Sequence, residues 1–238
     1  MTADAAQPVL VVTGLRREAR LAAGRDVTVV CSGGSPARLQ AALATLPPDF
    51  AAVVSFGIAC GLDPQLAPGD VVLASSVVAA GRQWPVHAHI VRNWIDALSA
   101  SYQDTVLGDL AGSERLLLTP ADKLALQSVT GAVAADMESA LAAAFASSRG
   151  LPFAAIRTIC DPVSRTLPPL VSVALRPDGS LDFLPILRSL AQEPLQLVRL
   201  PRIARDASAA FSSLRRCRAI LGRGFGLFGA GKPFRDIP

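Results

Sequence analysis

Four carboxylates in this chain of 238 residues stand just past apolar, β-branched runs: Glu18 beyond PVLVVT, Asp136 and Glu138 on either side of Met137, and Asp161 closing FAAIRTICD. In an open α/β sheet, ligands lie outside the carboxyl ends of the strands, where these side chains would meet. A buried carboxyl there can hold a proton near neutral pH and act as an acid, whereas an ionised one can activate a nucleophile or steady a developing positive charge. Between them in sequence runs a glycine-bearing segment from Gly57 through Ile58 and Ala59 to Gly61, where missing side chains let backbone amides approach a sugar or an anion closely. Arg16 and Arg17 place positive charge beside Glu18. Each feature also has a structural reading: Glu18 and the arginines as a solvated helix face, Asp136 as a helix cap with Glu138 in the first turn, Asp161 as a turn residue before Pro162.

Metal chemistry has little to draw on. Cys31, Cys60, Cys160 and Cys217 are far apart, and His87 and His89 lack an identifiable third ligand, so no metal is expected.

The elements that must position the carboxylates follow from hydrophobic patterning. Pro8 to Thr13, Asp26 to Val30, Ala51 to Phe56, Asp70 to Ala79 and Phe153 to Cys160 read as core strands, with Arg115 to Leu118 and Ala132 to Ala135 as short ones. Pro36 to Leu46, Ile90 to Tyr102, Pro120 to Ser128 and the alanine-rich Glu138 to Ser148 read as helices. This alternation predicts a three-layer α/β domain around a mixed, largely parallel sheet. Beyond Asp161, prolines up to Pro177 predict a mobile loop. Leu181 to Ala191 and Gln196 to Ala219 read as closing helices, the second interrupted near Pro201.

Composition narrows the class. With 51% hydrophobic and 18% charged residues the chain is neither disordered nor a disulfide scaffold. The apolar stretch from Phe50 to Leu62 falls short of the ~20 residues a membrane span needs. Met1 to Gln7 has neither a basic start nor an apolar run, so the cytosol and reduced thiols are expected. Charge is unevenly spread: residues 1–198 hold 14 basic and 17 acidic side chains, whereas residues 199–238 hold 9 and 2. The expected organisation is a main domain over 1–198 and a basic, amphipathic helical extension over 199–238 with a flexible glycine-rich end. Such a segment either packs one face on the core or rests on an anionic membrane surface through residues such as Phe225, Leu227 and Phe228, at the inner face of the membrane. Its scattered aromatics do not suit nucleic acid.

Three motifs in order carry a family resemblance. Ser55 to Val72, SFGIACGLDPQLAPGDVV, resembles the glycine-rich ribose and phosphate loop of the purine nucleoside phosphorylase and methylthioadenosine/S-adenosylhomocysteine nucleosidase superfamily. ADMESA, from Ala135 to Ala140, resembles its ribose-binding signature, and IRTICD, from Ile156 to Asp161, the segment ending in its catalytic aspartate. The match spans most of Val9 to about Arg165. Within that superfamily TGLRREAR, SFGIACGLDP and TPADKLAL look most like the hopanoid-associated phosphorylase branch, whose inferred substrate is adenosylhopane.

The resemblance implies a nucleoside phosphorylase-like catalytic domain that releases adenine from a 5′-substituted adenosine. It implies Asp161 as general acid, Glu138 as ligand of the ribose hydroxyls with Met137 as an apolar wall, and a substrate contact by Asp136 and by Gly57, Ile58, Ala59 and Gly61. Glu18 is the carboxylate nearest the position that activates water in nucleosidases. Arg16 and Arg17 are the cations available for phosphate, while Ile58 stands where phosphorylases carry a serine, so hydrolysis and phosphorolysis both stay open. Trp84, Pro85, Trp94 and Ile95 would line an apolar mouth for the 5′ substituent. The resemblance further implies a homo-oligomer without organic cofactor, inorganic phosphate being the one candidate co-substrate. A methylthioadenosine/S-adenosylhomocysteine nucleosidase and a non-catalytic nucleoside-binding protein are the alternatives.

Overall fold

A computed structural model describes residues 7–168 and 200–227. Its strands are β1 (Val9–Thr13), β2 (Val27–Cys31), β3 (Ala52–Gly61), β4 (Val71–Ala79), β5 (Arg82–Pro85), β6 (Thr105–Gly112), β7 (Ala134–Asp136) and β8 (Phe153–Asp161). The helices are α1 (Arg16–Ala22), α2 (Pro36–Ala44), α3 (Ala88–Ser99), α4 (Pro120–Thr130), α5 (Ser139–Ser148) and α6 (Leu200–Leu221), the last followed by a 3-10 turn, Arg223–Gly226.

Strand periodicity builds the layers. Successive side chains of a strand point to opposite faces, and all five residues of β1 are buried. Leu10 and Val12 join Leu39 and Leu43 of α2 and Ala142 and Phe145 of α5 on one face. Val9 and Val11 join Ala22 of α1, Ile90, Trp94 and Leu98 of α3, and Phe211, Leu214 and Leu221 of α6 on the other. The result is the predicted three-layer α/β architecture. Five of the eight ladders are parallel, and β8 runs parallel to β3 but antiparallel to β4. Strands β3, β8, β4, β6 and β7 close into a ring, because the last two residues of β3, Cys60 and Gly61, pair with β7.

Several local expectations are corrected. Residues 57–61 continue β3 instead of forming a loop, since β8 offers them a partner as far as Asp161. Arg115 to Leu118 is irregular, and the neighbouring strand is β6; Gly108, Asp109 and Gly112 interrupt its apolar pattern. Strand β5 pairs with β4 across a turn at Ala80 and Gly81, both at positive φ (49° and 71°) as a two-residue hairpin turn requires. Pro201 leaves α6 unbroken because it lies in the first turn, where its missing N–H has no partner to lose. The helix proposed over Leu181 to Ala191, the loop from Pro169 onward, and Phe228 with the glycine-rich end lie outside the described residues. Among the described residues no helix is long and apolar enough to cross a membrane.

The arginine-rich segment packs on the core. Phe211, Leu214, Cys217 and Leu221, spaced three or four apart, form the buried stripe of α6 together with Ala210. Phe225, expected at a membrane surface, is fully buried: its ring meets Phe56 edge-on at 5.2 Å, its carbonyl accepts the Trp94 indole N–H at 2.8 Å, and the Arg218 guanidinium lies over it. Phe225→Ala is therefore expected to destabilise the fold by about 3–5 kcal/mol, read as a lower urea midpoint.

Candidate active site

A cavity of about 730 Å³ opens where the carboxyl ends of β1, β3 and β8 meet the turns into α1, α2 and α5. Glu18, Asp136, Met137, Glu138 and Asp161 all line it, as do Ile58 and Ala59. Gly57 and Gly61 do not. A Cβ on Gly57 would sit 2.6 Å from both an Arg157 nitrogen and Glu18 Oε1, so this glycine leaves room for charged side chains crossing the strand.

Glu18 turns inward because it is the third residue of α1. Its Oε2 accepts the Gly14 and Leu15 amides at 2.7 Å each, capping its own helix, and its Oε1 accepts the Ile58 amide at 2.8 Å. Burial raises its pKa above the usual carboxylate value, against the opposing pull of Arg157 and the three amides. The same helical turn leaves Arg16 and Arg17 exposed and outside the cavity lining; Arg17 lies 4.0 Å over the ring of Phe211 on α6. Neither of the two arginines expected to hold phosphate lines the cavity.

Glu138 reaches the cavity from the junction of β7 and α5. Its Oε1 accepts the Ser32 hydroxyl at 2.8 Å, and Gly14 permits that placement, since a Cβ there would fall 2.8 Å from the same oxygen. Burial pushes its pKa up to about 7, with Asp136 and Glu18 adding to the effect and Arg157 opposing it. Both oxygens of Asp136 are taken by protein donors: the Glu138 and Ser139 amides at 2.7 and 2.6 Å, the Ser139 hydroxyl and the Arg157 guanidinium. Its evident work is to cap α5 and aim Glu138.

Arg157 organises these groups from the middle of β8 with no exposed surface. Its guanidinium bonds Ser55 Oγ at 2.5 Å and Asp136 at 3.1 Å and stands 3.8 Å from Glu138. Asp161, on the same cavity lining, accepts from Lys123 Nζ through Oδ2 at 2.6 Å, while its Oδ1 faces the Cys160 thiol at 2.8 Å. Burial raises the Asp161 pKa, and Lys123 opposes that rise. The sequence pattern did not single out Arg157, Lys123 or Ser32, because a cation within an apolar strand or a first helical turn reads like any other.

Much of the remaining lining is apolar. Leu15, Ile58, Leu116, Leu117, Leu118 and Leu167 supply this part. The segment Leu116 to Leu118 is apolar because it faces this cavity, which explains why it resembled a strand. Trp84 and Trp94 are core residues. The His87 amide bonds the carbonyl of Phe153, at the start of β8, so this region lies at the opposite end of the sheet from Asp161 and forms no mouth of the cavity. Among the described residues no group of three or more His, Cys, Asp and Glu side chains is placed to hold a metal ion.

A family model described as the Phosphorylase superfamily matches residues 6–174. The chain belongs to that superfamily. Similar solved structures include the native futalosine hydrolase of Helicobacter pylori, at 13% identity and a TM-score of 0.65 over 91% of this chain and 99% of that one. The 5′-methylthioadenosine/S-adenosylhomocysteine nucleosidase of the same organism gives 12%, 0.64, 89% and 97%. The corresponding nucleosidase of Colwellia psychrerythraea, solved with adenine, gives 19%, 0.60, 67% and 84%. At such identities they establish the fold of this superfamily member. No curated protein sequence matches the chain.

The position of Glu138 has a measurable consequence. Between the ordinary glutamate pKa of 4.5 and its folded value of about 7, the unfolded chain has lost this proton while the folded one keeps it, so raising pH favours unfolding. The stability of the protein relative to Glu138→Gln should fall by about 1–3 kcal/mol from pH 5 to pH 7.5 and then level off, checked by urea denaturation at each pH.

Proposed function

We propose that this protein hydrolyses the N-glycosidic bond of a 5′-substituted adenosine, releasing adenine. The observation that carries the reading is the lining of one cavity: a buried Asp161 and two further buried carboxyl groups, Glu138 and Glu18, share it with largely apolar neighbours. The carboxyl proton of Asp161 passes to the departing base as the C–N bond breaks. Glu138 accepts the ribose hydroxyls, and both glutamates face the positive charge that develops on the sugar ring. Glu18 takes the proton of the attacking water as the new C–O bond forms, a task for which a raised pKa suits it.

Three features favour water over phosphate as nucleophile. Two carboxylates at the sugar end repel a phosphate dianion. The Ile58 amide, a natural anion donor, is already taken by Glu18. Among the described residues the cations lining the cavity are Arg38 and Arg115, both with exposed side chains, and Arg115 is paired with Asp122. The fold likeness to nucleosidases, one of them solved with adenine, agrees with this reading. The leucine walls support an apolar 5′ substituent, for which adenosylhopane is the instance that the sequence resemblance supplies.

Adenine release followed by chromatography tests the assignment, using adenosine, methylthioadenosine, S-adenosylhomocysteine and adenosylhopane in detergent, with and without phosphate. The expected result is phosphate-independent release that is fastest from the lipid-linked substrate. Phosphate-dependent release would replace hydrolysis by phosphorolysis, and preference for the small nucleosides would replace the apolar substituent. Asp161→Asn should slow release by about 10²–10⁴-fold while adenosine binding persists.

A further inference from the structure

The chain contains 21 arginines and only 2 lysines, and one of the two, Lys123, is completely buried. It is the one buried residue of α4. An ammonium taken wholly out of water is costly unless paired and fully hydrogen-bonded. All three Nζ protons of Lys123 have acceptors: Asp161 Oδ2 at 2.6 Å, the Pro162 carbonyl at 3.0 Å and the Arg165 carbonyl at 3.1 Å. The nitrogen therefore joins the acid to the loop that follows it. That loop is itself anchored, since Arg165 Nε donates to Asp206 of α6 at 2.9 Å, a pair that is mostly buried.

Resting on Asp161 as the acid of the proposed reaction, we propose that Lys123 is its positioning residue: it fixes the carboxyl toward the base and sets the pH range over which the acid keeps its proton. The geometry gives both effects. With Oδ2 tethered to Nζ, the direction of Oδ1 is fixed. Once Asp161 has given up its proton, the carboxylate remains beside a positive charge in a site with little water. Among the described residues the other groups facing Asp161 are the Cys160 thiol on its own strand, the Cys60 thiol on β3 and Arg165 on the loop. Burial pushes the Cys60 thiol up to about 12 and Cys160 well above its ordinary value, so neither titrates across the working range. Three convergent acceptors at 2.6–3.1 Å suit a compact ammonium with three protons, and a planar guanidinium cannot serve them in the same way.

The test is the pH dependence of kcat/KM for adenine release in the full chain, comparing the parent with Lys123→Met, Lys123→Gln, Lys123→Arg and Asp161→Asn. Removing the cation raises the Asp161 pKa, so the alkaline limb, where activity is lost as the acid deprotonates, should move up by at least about one pH unit in Lys123→Met or Lys123→Gln. Kcat at the plateau should fall about 10–100-fold through loss of orientation, with KM changed less than about threefold. Lys123→Arg should keep the limb near its parent position at reduced kcat. A folded Lys123→Met or Lys123→Gln with the parent's alkaline limb overturns the proposal. A second measurement needs no Lys123 variant: with lysines labelled at Nζ the protein gives only two side-chain signals, and that of Lys123 should shift in Asp161→Asn. An unmoved signal also overturns it. Full activity of Asp161→Asn would instead refute the acid role, which separates the two failures.

Discussion

One guanidinium, that of Arg157, makes the rest of the site possible. Three carboxylates, Glu18, Asp136 and Glu138, converge in a volume from which water is largely excluded, and like charges at such depth do not gather without a cation among them. Arg157 sits on β8, which is hydrogen-bonded to β3 on one side and β4 on the other, so the charge is held from inside the sheet. Asp136 takes its direct ion pair and caps α5, while Glu138 stands further off and keeps a pKa near neutrality. Glycines at 14 and 57 are the matching concession in the backbone, each leaving a gap that a carboxylate fills.

Asp161 and its surroundings repeat this logic with a lysine. Here the cation has no second carboxylate to hold, and it uses its remaining protons on backbone carbonyls. The two polar ends therefore differ in kind. Around Glu18 and Glu138 three carboxyl groups share one arginine, whereas Asp161 and Lys123 form a one-to-one pair. Leucines line the cavity beside both groups, and their low polarity strengthens the field that each charge exerts there.

The carboxylates were legible in the sequence because each follows an apolar strand, and the layer order was legible because β1, β3 and β8 are buried on both faces and so read as unbroken apolar runs. Their partners were not. Arg157 interrupts an apolar strand and Lys123 opens a helix, and the sequence does not say which side of either element holds an acid. Leu116 to Leu118 was misread for a related reason: apolarity marks whatever faces away from water, a cavity wall as much as a strand. Strand β6 went unseen because Gly108 and Gly112 are required by packing, where a Cβ would strike Val133 and Ala140. The arginine-rich helix carried more than one reading, because an apolar stripe beside cations suits a core as well as a membrane surface, and the structure packs that stripe on the sheet.

That packing has a consequence for synthesis. The face of the sheet bearing Val9, Val11 and Phe56 is completed by α6 and Phe225, which leave the ribosome last among the described elements. At roughly 5–20 residues per second, β1 waits on the order of ten to forty seconds for its final cover. During that interval one apolar side of the nascent sheet lacks much of its shield, so the speed of translation and the presence of holding chaperones bear directly on the yield of folded protein.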